Sequence, residues 1–89
     1  MADKVFAGTV VLSDRIIENG YVLVADGKVQ VVGSGTRPAG EKHGGSDFFV
    51  FPGAIDAQVH SRSQLGQEDF IWSTRSAAAG GVTTIVDMP

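Results

Sequence analysis

The 89-residue chain is weakly acidic and contains no cysteine, with a formal net charge of -3 and 43% hydrophobic residues. This composition is typical of a soluble globular protein and excludes disulfides and thiolate metal ligands, while the absence of any Lys/Arg run argues against nucleic acid or a membrane as partner. Because the chain shows neither a signal-peptide pattern nor about 18 consecutive apolar residues, we expect a cytoplasmic location.

Short β-strands are predicted from Lys4 to Val32, where valine and isoleucine recur between turn dipeptides without a helical period. The first strand is predicted over Val5 to Leu12. Two more, Tyr21 to Ala25 and Lys28 to Val32, flank Asp26-Gly27, a dipeptide typical of the two-residue type I′ turn. These residues therefore predict a β-hairpin.

Turn-forming residues predict two further irregular regions. Asn19-Gly20 predicts a turn that joins a strand at Ile16-Ile17 to the hairpin. The stretch from Gly33 to Ser46 is rich in glycine and polar residues and predicts a surface loop, in which His43 would be solvated. This stretch contains no Gly-Lys-Ser/Thr motif, so we do not expect nucleotide binding.

The character of the sequence changes near Phe51, and the residues beyond it predict one βαβ unit. A strand over Ala54 to His60 precedes a helical period over Gly66 to Ala79. Val82 to Val86 is β-branched throughout, which predicts a parallel strand buried on both faces. Gly80-Gly81 is expected to end the helix.

The predicted helix has acidic residues in its first turn, at Glu68-Asp69, as the helix dipole favours. Its predicted apolar face consists of Phe70, Ile71, Thr74, Ala77 and Ala78.

Three polar residues at spacing two mark the candidate site. Strand alternation predicts that Asp56, Gln58 and His60 share one face, near the carboxyl end of a strand that begins a βαβ unit. Asp87 ends the next strand in the same way. A solvated sheet face would produce the same pattern. However, both faces of a βαβ sheet are normally covered, which favours a functional site.

Two blocks of sequence carry a family resemblance. Residues 52–62, Pro-Gly-Ala-Ile-Asp-Ala-Gln-Val-His-Ser-Arg, are followed by Glu68-Asp69-Phe70 and then by residues 77–89, Ala-Ala-Ala-Gly-Gly-Val-Thr-Thr-Ile-Val-Asp-Met-Pro. These blocks resemble the start of the barrel in the dihydroorotase, allantoinase and hydantoinase group of the amidohydrolase superfamily. The Val-Ala-Asp-Gly-Lys-Val hairpin resembles their small N-terminal β-sandwich.

The resemblance implies an α/β protein in two parts. Residues 1–51 would be the β-rich N-terminal part of a composite β-sandwich, and residues 52–89 the first βαβ unit of a (β/α)₈ TIM-like barrel. Such a barrel needs about 250 residues, so the chain would form an N-terminal segment of it. The implied activity is hydrolysis of a carbon–nitrogen bond in a cyclic amide or ureide, in which a metal-bound hydroxide attacks the ring carbonyl.

The resemblance also assigns roles to individual residues. The first-strand His-x-His of the family corresponds to Gln58 and His60, which makes His60 a metal ligand and Gln58 a substitute for the usual histidine. Asp56 would orient either the metal ligands or the strand that carries them. Arg62 matches an arginine that binds the substrate carboxylate in dihydroorotases. The cofactor would be one or two divalent metals, usually zinc.

The family's other ligands, a carbamylated lysine and two histidines, and its general base, an aspartate, come from later strands. We therefore expect the 89 residues alone to be inactive. For the full-length enzyme, the resemblance implies a homo-oligomer. Two alternatives remain. A catalytically silent relative with an interaction or oligomerisation role is favoured by Gln58, and a free-standing β-rich binding module would resemble the enzyme only in sequence.

Overall fold

The computed structural model describes residues 3–61 and 69–88. The chain divides into two compact units, Met1–Pro52 and Gly53–Pro89. The first contains strands β1 to β4 and the second contains β5, α1 and β6. Their bounds are β1 Lys4–Val11, β2 Ile16–Ala25, β3 Lys28–Ser34, β4 Glu41–Val50, β5 Ala54–Val59, α1 Phe70–Ala79 and β6 Val82–Asp87. Neither part of the chain that the structure describes holds a helix long and apolar enough to span a bilayer.

The first unit is a four-stranded sheet in the order β3-β2-β1-β4. Strand β2 pairs antiparallel with both β1 and β3, whereas β4 pairs parallel with β1. The predicted hairpin is confirmed, because Ala25 pairs with Lys28 across a two-residue turn. Both turn residues, Asp26 and Gly27, have positive φ (53° and 72°), as a type I′ turn requires.

The predicted turn at Asn19-Gly20 is wrong, because β2 runs through these residues without a break. Pairing with β1 shifts between Gly8↔Gly20 and Val10↔Ile17, which leaves one extra residue on β2. Asn19 lies in this bulge with φ of 50°. Asparagine tolerates the left-handed conformation, and a β-bulge uses this tolerance as readily as a turn does.

The predicted loop from Gly33 to Ser46 is also wrong over most of its length. Strand β3 extends to Ser34, and β4 begins at Glu41. His43 therefore lies on a strand, where it pairs with Phe6 of β1. The strand forms despite its glycines because β1 pairs with both of its ends, with residues 41–44 and with Phe49 and Val50, and local propensity does not reveal such partners.

Burial in the first unit is concentrated on the central strand β1. Val5, Ala7 and Val10 are its buried hydrophobic residues, and Val5 and Val10 are almost fully enclosed. The outer strands are much more open, and Phe49 on β4 is 66% exposed. A hydrophobic groove of about 260 Å³ crosses this sheet, lined by Val10, Val11, Leu12, Val22, Val29, Val32, Val50, Phe51 and Pro52.

The second unit is a βαβ arrangement. Strands β5 and β6 are neighbours and run parallel, as predicted. Helix α1 ends at Ala79, and Gly80 donates its N–H to the carbonyl groups of Ser76 and Ala77 at 3.1 Å, which confirms the predicted stop. Gly81 follows with φ of 89°.

Helix α1 begins later than predicted. Asp69 caps it from outside, with its side chain accepting a hydrogen bond from the N–H of Phe70 at 2.9 Å. Asp69 is therefore an N-cap rather than a first-turn residue, as is common for aspartate. Glu68 and the rest of the predicted helix start lie outside the described residues.

The second half of the predicted apolar face of α1 lies next to β6, but no residue of this helix is buried. Thr74, Ala77 and Ala78 line a groove with residues of β6, whereas Ile71 is 62% exposed. The expected burial of β6 on both faces is wrong for this chain, since Val86 is 47% exposed. One short helix against a two-stranded sheet provides too little surface to cover both faces.

Candidate functional site

The candidate site lies at the carboxyl ends of the parallel strands β5 and β6. Strand β5 ends at Val59 and β6 at Asp87, and these two residues are paired in the ladder. His60 follows directly and is partly buried. The carboxyl ends of parallel strands are where barrel enzymes and open α/β sheets bind their ligands.

The ladder between β5 and β6 is irregular next to the candidate residues. Asp56 pairs with Ile85 and Val59 pairs with Asp87. Between these two pairs, β5 has one more residue than β6. Gln58 therefore lies within a bulge of β5. Bulges are frequent next to active sites, where they redirect a side chain. Because a bulge interrupts the alternation of period two, the shared face predicted for Asp56, Gln58 and His60 stays a prediction.

Asp56 makes a local contact with the backbone of its own strand. Its Oδ1 atom accepts a hydrogen bond from the N–H of Gln58 at 3.1 Å. This contact provides a partner for one of the main-chain donors inside the bulge, which lack a regular ladder partner. Asp56 and Gln58 are both exposed. The side chain of Asp56 therefore contributes to the shape of the strand at Gln58.

Two serines that the sequence analysis did not single out connect the end of β5 to its surroundings. Ser61 is fully buried, and its N–H donates to Oδ1 of Asp87 at 2.7 Å. Its Oγ lies 2.6 Å from Oγ of Ser73 on α1. The only signal in the sequence was the acidic residue at the end of β6, because serine is common in exposed loops and gives no indication of burial.

The described residues do not form a complete metal site. Within residues 3–61 and 69–88, no three side chains of His, Asp or Glu come together as a group that could hold a metal ion. Among the predicted ligands, His60 provides an imidazole and Gln58 a neutral amide oxygen, a weak donor for zinc. His60 therefore fits a metal only as one ligand among others supplied from elsewhere. Arg62 lies outside the described residues.

The second histidine of the chain belongs to a different environment. His43 stacks on Phe6, and its Nε2 lies 2.8 Å from Oε1 of Glu41. His43 also lines an open pocket of about 450 Å³, to which Phe48, Phe49 and Phe51 contribute. Apart from the Glu41 carboxylate, these side chains around the imidazole are apolar rings, a composition that suits packing rather than metal binding.

Several curated proteins are similar to the chain in sequence. A D-hydantoinase of Rhizobium radiobacter is 37% identical over an alignment that includes 83% of this chain and 20% of that protein. A dihydroorotase of Methanothermobacter thermautotrophicus is 43% identical over 74% of the chain and 16% of its own length. An allantoinase of Escherichia coli O1:K1 / APEC is 36% identical over 92% of the chain and 18% of its length. The chain thus spans about a fifth of these relatives.

Solved structures of the same group share the fold. A crystal structure of D-hydantoinase matches 96% of the chain with a TM-score of 0.80 and 34% identity, over 20% of its own length. The L-hydantoinase (dihydropyrimidinase) of Arthrobacter aurescens matches the whole chain with a TM-score of 0.69 and 30% identity, over 21% of its length. No family model matches the chain.

Sequence and structure agree in these comparisons, since proteins more than 30% identical to the chain also superpose on its strands and helix. By both criteria, the chain is similar to an N-terminal segment of the cyclic amidohydrolases, the group of the hydantoinases, dihydroorotases and allantoinases.

Proposed function

We propose that the chain is the N-terminal part of a metal-dependent hydrolase that opens a cyclic amide or ureide ring. The similarity to hydantoinase, dihydroorotase and allantoinase sequences carries this proposal, because the names of all three relatives describe enzymes of cyclic amides. In this proposal, residues 52–89 begin a (β/α)₈ barrel, and residues 1–51 form part of a β-sandwich. The full-length protein would be a homo-oligomer.

His60 is the residue of the described chain that we assign to the metal. It follows the end of a parallel strand, the position at which barrel enzymes gather their catalytic groups. A neutral imidazole nitrogen is a good ligand for zinc, and the other ligands would come from later strands. When bound, the divalent metal supplies Lewis-acid polarisation of the ring carbonyl and activation of the attacking water.

The other candidate residues would shape and complete the substrate side of the site. Asp56 holds the N–H of Gln58, and so would fix the backbone that precedes His60. Arg62, two residues beyond His60, is assigned to a carboxylate of the substrate, which its planar guanidinium could bind through two hydrogen bonds. A carboxylate-bearing ring is thus the substrate that Arg62 would favour.

One observation favours a second candidate function. Gln58 stands where the family has a histidine, and an amide oxygen competes poorly with water for zinc. A protein that has lost this ligand could keep the fold and act through interaction or oligomerisation without catalysis. The two candidates differ in one measurable property, namely whether this chain can contribute to an active metal site.

A chimera tests this property. We would replace the matching N-terminal segment of the Rhizobium radiobacter D-hydantoinase with this chain and measure hydrolysis of hydantoin. We expect metal-dependent turnover. His60→Ala should abolish this turnover, whereas the matched control His43→Ala, in the first unit, should retain it. A folded chimera without turnover, whether it carries Gln58 or Gln58→His, would contradict the enzyme assignment. Turnover only with Gln58→His would support the silent relative.

A further inference from the structure

The two peptide units that flank His60 are both held by the same dipeptide at the end of β6. On one side, the N–H of Met88 donates to the carbonyl oxygen of Val59 at 2.8 Å. On the other side, the N–H of Ser61 donates to Oδ1 of Asp87 at 2.7 Å. Asp87 and Met88 therefore hold the backbone immediately before and immediately after His60.

The planarity of peptide bonds gives this arrangement a consequence for the side chain. The carbonyl oxygen of Val59 lies in the plane of the peptide bond to His60, and the N–H of Ser61 lies in the plane of the next one. The Cα atom of His60 joins the two planes. When both planes are fixed, the direction of the Cα–Cβ bond is fixed too.

Burial makes the contact on the Ser61 side hard to replace. Ser61 is fully buried, so water cannot take over its N–H if the carboxylate of Asp87 is removed. A carboxylate acceptor also gives a stronger hydrogen bond than a neutral one. The Oγ–Oγ contact of 2.6 Å with Ser73 joins helix α1 to the same point. Three elements thus meet at the residue that follows His60.

We propose that Asp87 is a positioning residue, whose carboxylate sets the direction in which His60 leaves the end of β5. The inference rests on the proposed function only where His60 is called a metal ligand, because the two hydrogen bonds need no metal. The chimera assay decides the proposed function by turnover, whereas the positioning role is measured without metal on the 89-residue chain, so one can fail while the other stands.

Nuclear magnetic resonance of the metal-free chain tests the role through its two histidines. In Asp87→Ala, the amide proton of Ser61 should exchange with solvent at least about tenfold faster, because a buried charge-assisted hydrogen bond is lost. The ring resonances of His60 should shift or broaden. Those of His43, in the first unit, should stay unchanged and serve as the internal control. Asp47→Ala, which removes an exposed carboxylate from β4, is the matched charge control.

The conservative variant separates positioning from a general loss of structure. Asp87→Asn keeps an oxygen acceptor but no charge, so its changes at Ser61 and His60 should lie between those of the wild type and Asp87→Ala. Asp87→Ala is too disruptive if the amide resonances of β6 lose their chemical-shift dispersion, which would show that the second unit has unfolded. In that case the spectra of Asp87→Asn alone decide whether Asp87 positions His60. Two results would overturn the inference. One is a folded variant in which the amide proton of Ser61 exchanges faster while the ring resonances of His60 stay unchanged. The other is an unchanged exchange rate of the Ser61 amide proton.

Discussion

The imidazole of His43 stacks on the phenyl ring of Phe6, with the ring centroids 5.1 Å apart and the ring planes 18° from parallel. The two residues are register partners in the parallel pair of β1 and β4. Strand β4 is an edge strand, and its ladder partner among the described strands is β1. The stacked pair therefore adds a side-chain contact to the backbone ladder that holds β4 in the sheet.

We expect His43→Ala to lower the free energy of unfolding by about 1 kcal/mol, since aromatic pairs contribute roughly 0.5–1.5 kcal/mol beyond their area. His43→Phe should be close to neutral, because it keeps the stacked ring and loses only the exposed contact with Glu41. Urea denaturation measures both variants. Equal destabilisation by the two substitutions would show that the contact with Glu41, not the stacking, holds the strand.

Strand β4 also shows why the sequence predicted only part of the first sheet. The hairpin could be predicted because alternation and the Asp26-Gly27 turn are local signals. Strand β4 contains Gly44 and Gly45, and it forms through non-local parallel pairing with residues about 37 positions earlier. Local propensity depends strongly on such context in strands, and a glycine-rich segment resembles a loop until its partner is known.

Two glycines with similar φ should respond very differently to substitution. A Cβ at Gly44 (φ 84°) would meet the carbonyl oxygen of Ala7 at 2.2 Å, whereas a Cβ at Gly27 (φ 72°) would meet nothing within 4 Å. We expect Gly27→Ala to cost about 1 kcal/mol of stability for its left-handed backbone alone. Gly44→Ala should cost about 3 kcal/mol, because the strands must also separate. Thermal and urea unfolding measure the difference, and equal losses would contradict the close approach of β1 and β4.

Arg37 should stabilise the bulge of β2. Its guanidinium donates to the carbonyl oxygens of Asn19 and Gly35 at 3.0 and 2.7 Å and to Oδ1 of Asn19 at 3.1 Å. We expect Arg37→Ala to lower the free energy of unfolding by about 1 kcal/mol, since these contacts are partly exposed. Arg37→Lys should recover little, because an ammonium lacks the planar fork. Arg15→Ala, which removes an exposed cation elsewhere, is the control. If it lowers the free energy of unfolding as much as Arg37→Ala does, the effect is due to charge and not to these hydrogen bonds.

The placement of the candidate residues on or next to strands β5 and β6 could be predicted from the sequence, but the contacts around them could not. Asp56, His60 and Asp87 could be chosen because strand spacing and the resemblance both indicate them. The bulge of β5 that contains Gln58 could not be predicted, because it depends on the register with β6. Ser61 and Ser73 could not be predicted either, because their contact joins two elements 12 residues apart and serine gives no signal of burial.

The isolated chain should not hydrolyse dihydroorotate, allantoin or hydantoin at any zinc concentration. The reason is chemical, because the described residues bring no three imidazole or carboxylate groups together. The measurement is product formation by the purified 89 residues, with the intact Rhizobium radiobacter D-hydantoinase as the positive control. Zinc-dependent turnover by the chain, lost on addition of a chelator, would show that it carries a complete site of its own.

Gln58 should limit the metal content of any protein that contains this chain together with the remaining ligands, such as the hydantoinase chimera. A glutamine oxygen cannot replace an imidazole without a large loss of zinc affinity, so we expect one metal or a substoichiometric content. Loss of even an outer partner of a ligand typically costs 10- to 100-fold in affinity or activity, so Gln58→His should raise zinc affinity by at least about tenfold.

Gln30→His, at an exposed position of β3, is the matched control and should not raise the zinc affinity. His60→Ala should abolish the binding that remains. Elemental analysis of the four proteins decides the matter, because two tightly held zinc ions with Gln58 in place, or no gain in Gln58→His, would show that the metal does not bind at this strand end.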